Sequence, residues 1–127
     1  MKPLQVITLF LVLTLYISCS NEELTQDQEA EKLENMLTVI EKLASTTTCE
    51  ESSSWTFTAI GSKACGGPTA YIAYSTKIDT KSFLEKVNEY TLAQAKYNDK
   101  WNLYSDCSVP SQPTGVICQN GIPTFIY

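Results

Sequence analysis

Four cysteines, Cys49, Cys65, Cys107 and Cys118, punctuate a chain of 127 residues that contains no histidine. That combination narrows the accessible folds more than any other feature. Without histidine the commonest metal ligand is missing, and no CxxC pair is present, so a metal knuckle is not expected. Covalent pairing is the usual fate of such cysteines in an oxidising compartment, and two disulfides are expected. Four cysteines permit three pairings, and spacing alone does not choose among them. Short loops favour Cys49–Cys65 and Cys107–Cys118, each closing around one strand region. A loop of about 15 residues contributes about 3 kcal/mol through lost unfolded-chain entropy, a large share of a small domain's total of about 5–15 kcal/mol.

The fifth cysteine, Cys19, ends an apolar N-terminal stretch. Lys2 supplies a positive start, and Val6 to Ile17 is broken only by Thr8 and Thr14. This run falls short of the ~20 residues of a spanning helix and reads as a signal peptide, residues 1–18, removed from the mature protein. No small-x-small cleavage pattern is present. The pair Ser18-Cys19 instead resembles a bacterial lipobox, with Tyr16 where that motif most often has Leu. The resemblance implies a lipidated Cys19, which leaves an even number of cysteines behind it. One acyl chain holds a protein weakly, at ~0.8 kcal/mol per buried CH₂, whereas two or more hold it firmly. The expected location is therefore the outer membrane, at the cell surface or on the periplasmic face, with the lipid as the only membrane contact. Ser20-Asn21-Glu22-Glu23 looks like the acidic tag that routes some lipoproteins of Bacteroidota to the surface; a solvated tether has the same composition. Ordinary cleavage near Ser18 or Ser20, with release of a soluble protein, is the alternative.

Behind an acidic tether over 19–29, residues 30–127 amount to one domain. Nine lysines, no arginine and fourteen acids give a formal net charge of −5. Phosphate neutralisation and base reading both lean on Arg and Lys, so nucleic acid is not an expected partner.

Ala30, Leu33, Met36, Leu37, Ile40, Leu43 and Ala44 follow the spacing of one helical face, and Ser45-Thr46-Thr47-Thr48 ends that helix. Trp55-Thr56-Phe57-Thr58-Ala59-Ile60 and Tyr71-Ile72-Ala73-Tyr74-Ser75 have strand character, joined through Gly61-Ser62 and the tight Cys65-Gly66-Gly67-Pro68 loop. In the second strand Tyr71 and Ala73 share one face, Ile72 and Tyr74 the other. Asp79 or Thr80 caps a second helix, with Phe83, Leu84, Val87, Thr91 and Ala95 toward the core. Asn120-Gly121 between Val116-Ile117-Cys118 and Ile122–Ile126 signals a hairpin, because both residues tolerate the positive φ of a type I′ turn. Pro123 lacks a donor and belongs on an edge. The class is α+β, in the order helix–strand–strand–helix–strand–strand: a small antiparallel sheet with helices packed on one face.

The chemistry available to such a chain is limited. Ser-His-Asp and Cys-His arrangements need a histidine, no cysteine has an electropositive setting, and Gly66-Gly67 lacks the pattern of a phosphate loop. No catalytic residue, cofactor or metal is expected, although a histidine-independent enzyme remains the most distant alternative. Tyrosine and tryptophan anchor binding sites because they add area at low entropic cost. Tyr71, Tyr74 and Tyr90 read as core, whereas Tyr97, Trp101 and Tyr104, together with the Gly66, Gly67 and Pro68 loop, are the candidate binding residues. A protein-binding or inhibitor-like monomer is the expected function, and an accessory subunit of an outer-membrane complex the alternative.

The strings Trp55-Thr56-Phe57, Lys63-Ala64-Cys65-Gly66-Gly67-Pro68, Tyr71-Ile72-Ala73-Tyr74-Ser75, Ser105-Asp106-Cys107 and Cys118-Gln119-Asn120-Gly121 resemble small disulfide-containing lipoproteins of Bacteroidota. The likeness covers roughly Cys49 to Tyr127. It implies an envelope lipoprotein with paired cysteines, and it carries no catalytic residue, ligand or partner with it.

Overall fold

A computed structural model describes residues 23–127. The expected signal peptide, Cys19 and the start of the acidic tether lie outside the described residues. Helix α1 runs Gln26–Ala44 and is opened by Thr25. The Thr25 hydroxyl accepts from the Gln28 N–H at 3.3 Å, and the Gln28 side chain accepts from the Thr25 N–H at 2.9 Å. This reciprocal cap satisfies two otherwise orphaned donors, and Asp27 and Glu29 suit the positive end of the helix dipole. The helix therefore includes residues 26–29, a polar stretch whose composition suits either a tether or a fraying helix start.

A 3₁₀ turn, Ser52–Ser54, leads into β1 (Trp55–Ile60), which pairs antiparallel with β2 (Ala70–Ser75). Helix α2 (Thr80–Lys100) follows, its N-terminus capped by the Asp79 carboxylate on the Ser82 N–H. Strands β3 (Gly115–Gln119) and β4 (Ile122–Ile126) form a second antiparallel hairpin. Its turn carries φ of 52° at Asn120 and 79° at Gly121, the type I′ geometry expected of that dipeptide.

The α+β class and element order agree with the sequence, but the four strands form two separate two-stranded sheets. The reason lies in the two faces of the first hairpin. Ile60, Ile72 and Tyr74 pack with Ile40, Ala44, Phe83, Val87 and Tyr90 of the helices. The opposite face, with Trp55, Phe57 and Ala73, packs against Val116, Cys118 and Phe125. A hairpin apolar on both faces needs a cover on each side, so β3–β4 stacks beneath β1–β2 instead of extending it. Of the expected inward positions on α2, Phe83 and Val87 are buried, while Leu84 is 38% exposed. Tyr90 takes its place in the core.

The disulfides differ from the expected pairing: Cys49 joins Cys118 and Cys65 joins Cys107, with Cα atoms 5.2 and 5.6 Å apart. Cys49 and Cys65 flank β1, whose six residues at ~3.3 Å each hold the strand's ends far beyond disulfide reach. Cys49 instead bridges the hairpin turn, its N–H donating to the Gly121 carbonyl at 3.0 Å. Nearby, the Cys118 N–H donates to the Ser52 hydroxyl at 3.0 Å. With sequence separations of 69 and 42, each crosslink contributes about 4 kcal/mol by loop-closure entropy, more than short loops would.

Candidate functional site

The layering leaves one side of the first hairpin in a recess. Helix α1 lies over β2 on one face and β4 lies against it on the other, each in direct contact with it. Between these walls runs a cleft of about 540 Å³ whose floor includes four successive residues of β2, Ala70 to Ala73. Leu37, Glu41 and Ala44 of α1 form one wall, and Gly121, Ile122 and Pro123 form the other. Successive strand residues point to opposite faces, so a floor made of all four is the edge of β2. A second recess of about 490 Å³ shares Thr69, Ala70 and Tyr71 and continues past Phe125 and Tyr127.

The lining is mostly apolar, with two polar groups that matter. Glu41 is its one charged side chain among the described residues. Tyr90 is 6% exposed, and burial, followed by the negative charge of Glu41, raises its hydroxyl above the ordinary tyrosine pKa. No buried side-chain polar atom among the described residues lacks a partner. Among the described residues the Tyr90 hydroxyl has no hydrogen-bond partner, and Tyr90 is one of the residues that line the cleft. A largely preformed apolar recess with a few convergent polar groups is the usual form of a ligand site.

None of the six binding residues expected from the sequence lines this cleft. Gly66 and Gly67 have φ of 90° and 84°, and a side chain at Gly66 would meet nothing within 4 Å. Their positive φ is the turn geometry that glycine permits. That loop anchors the segment after α2. Besides the Cys65–Cys107 bond, Lys63 Nζ pairs with Asp106 Oδ1 at 2.8 Å and donates to the Ser108 carbonyl. Asn98 Nδ2 donates to the Ser62 carbonyl at 2.8 Å, so the Gly66-Gly67-Pro68 loop and the end of α2 do share one end of the molecule. Trp101 there fastens α2 to α1 through Glu29. Tyr97 is half-buried in a shallow recess against Leu33 and Met36, and Tyr104 stands 97% exposed.

Sequence reasoning placed Tyr90 in the core, where its ring lies, but did not connect it with the cleft, and it did not single out Glu41 or Ile122. The signal that could have found the cleft was the apolar character of both faces of Tyr71-Ile72-Ala73-Tyr74, which demands two covering layers and places the strand's edge between them. No protein-family model, curated protein or solved structure matches this chain.

Proposed function

We propose that this chain is a membrane-anchored envelope protein whose disulfide-stapled domain binds another protein and performs no catalysis of its own. Cys19 supplies the anchor, at the outer membrane, and residues 23–127 present the binding site. The observation that carries this reading is the cleft itself: an apolar recess beside a strand edge, on a domain held rigid by two long-range crosslinks. Preorganisation lowers the entropic cost of association, which suits small crosslinked domains to recognition. The test is capture of an envelope protein by the oxidised full chain in detergent. Retention lost in Ile122→Glu and kept in Tyr104→Ala supports the reading, whereas equal loss in both, or no retained protein, removes it.

Exposed Ile122 and Ile126 on the second hairpin, 64% and 42% accessible, favour the alternative of an accessory subunit docked by that hairpin. In that case Ile126→Lys, which leaves the cleft lining intact, abolishes capture.

A further inference from the structure

We propose that the cleft takes an extended polypeptide segment, which adds as a third strand to β2 and places a cationic side chain against Glu41. The inference rests on the binding reading above and specifies its chemistry. Its first support is the hydrogen-bond phase of β2. The Thr76 N–H donates to the Ser54 carbonyl at 2.8 Å, one step beyond the Trp55↔Ser75 pair in the β1–β2 register. Antiparallel pairs alternate between hydrogen-bonded and open, so Thr56↔Tyr74 and Thr58↔Ile72 carry the ladder. Tyr71 and Ala73 then turn their N–H and C=O groups away from β1, toward the cleft. Among the described residues, no loop, turn or side-chain hydrogen bond reaches those four groups.

Unpaired backbone groups in a sheltered recess are costly to leave unsatisfied. A hydrocarbon chain filling the cleft would leave them so. An extended backbone offers donor and acceptor at two-residue intervals, the repeat at which Tyr71 and Ala73 present theirs. The walls supply the rest of the recognition. Side chains on one face of the added strand meet Leu37, Ile72 and Tyr90, and those on the other meet Ile122, Pro123 and Tyr71. Glu41 has no cation beside it in the lining, and among the described residues the Tyr90 hydroxyl has no partner, so a lysine or arginine entering beneath α1 satisfies both. Ala70 and Ala73 keep the floor low. The bound segment is four or five residues long, matching Ala70–Ala73.

The probe is a pooled set of capped octapeptides with one fixed central Lys and the other positions drawn from Val, Ile, Thr, Ser and Ala. It is presented to the oxidised full chain in detergent. The tightest member should slow amide exchange at Tyr71 and Ala73 about tenfold or more, as new hydrogen bonds do. N-methylation of its alternate residues in one phase should weaken binding about tenfold, and in the other phase by less than about twofold, consistent with loss of two hydrogen bonds. Glu41→Gln should weaken the Lys-containing peptide several-fold more than its Lys→Thr analogue. Binding with unchanged exchange at Tyr71 and Ala73, or with no phase dependence of N-methylation, overturns strand addition, as does a pool in which nothing binds. The binding reading stands or falls separately, since the captured envelope protein depends on Ile122 whether or not it enters as a strand.

Discussion

The indole Nε1 of Trp101 donates to Glu29 Oε2 at 2.8 Å, and Lys100 Nζ pairs with Glu29 Oε1 at the same distance. The last turn of α2 is thereby fastened to the first turn of α1, with the Lys100 ammonium 5.1 Å from the Trp101 ring centre. The Lys100 and Trp101 hydrogen bonds hold the Glu29 carboxyl below the ordinary glutamate pKa, and Glu29 in turn raises Lys100. A depressed carboxyl pKa stabilises the fold above its unfolded value and loses that contribution as pH falls through the folded one. Thermal unfolding of Glu29→Gln should therefore show a flatter acid limb below the ordinary glutamate range than the parent. The effect is small because Lys100 is 39% exposed and solvent screens the pair. Trp101→Phe loses the indole donor and should lower Tm without altering ligand capture by the cleft.

The crosslinks make a sharper prediction. Non-reducing peptide mapping should recover Cys49 with Cys118 and Cys65 with Cys107, and no fragment linking Cys49 to Cys65. Replacing Cys49 and Cys118 together with alanine should cost about 4 kcal/mol by denaturant unfolding, with the second hairpin losing amide protection before the helices do. A pattern in which both disulfides join near neighbours would contradict the layered arrangement itself.

At the other end of the chain, the lipid anchor is read from the sequence alone. The parent should partition into the detergent phase, and its N-terminal peptide should begin at Cys19 with the mass of attached acyl chains. Cys19→Ser should retain the leader or appear in the aqueous phase. A parent that is found cleaved but free in the aqueous phase would leave the domain without its anchor.

Local chemistry made most of the elements legible. Trp55–Ile60 reads directly as β1, Asp79 or Thr80 as a cap (Asp79 in the structure), and Asn120-Gly121 as a type I′ turn, because each depends on neighbours within a few residues. The disulfide pairing was not legible, because it is set by where the ends of β1 fall and by the contact of Cys49 with Gly121, 72 residues away (121 − 49) in sequence. The walls of the cleft were illegible for the same reason, although the two apolar faces of Tyr71-Ile72-Ala73-Tyr74 hint at its floor. Glu41 and Ile122 look like ordinary surface residues until α1 and β4 are placed on opposite sides of β2. Trp101, a candidate binding residue by its place at a helix end, also donates its N–H to Glu29, a contact that depends on where α1 lies.

Tyr90 separates packing from binding more cleanly than any other residue. Its ring belongs to the core with Phe83 and Val87, while the residue also lines the cleft and its hydroxyl has no partner among the described residues. Tyr90→Phe keeps the ring and removes only the hydroxyl, so stability at neutral pH should change by less than about 0.5 kcal/mol, the range of substitutions that break no buried contact. Affinity for a ligand in the cleft should fall about three- to tenfold, the worth of one hydrogen bond. Alkaline unfolding supplies an independent check. Burial raises the folded pKa of Tyr90, so its contribution is intact below the unfolded tyrosine value and is lost as pH rises through the folded one. Tyr90→Phe should therefore lose less stability than the parent across the alkaline limb, while Lys100, also raised, declines equally in both. Unchanged affinity combined with a large loss of stability at neutral pH would place the hydroxyl in the core and remove it from the site.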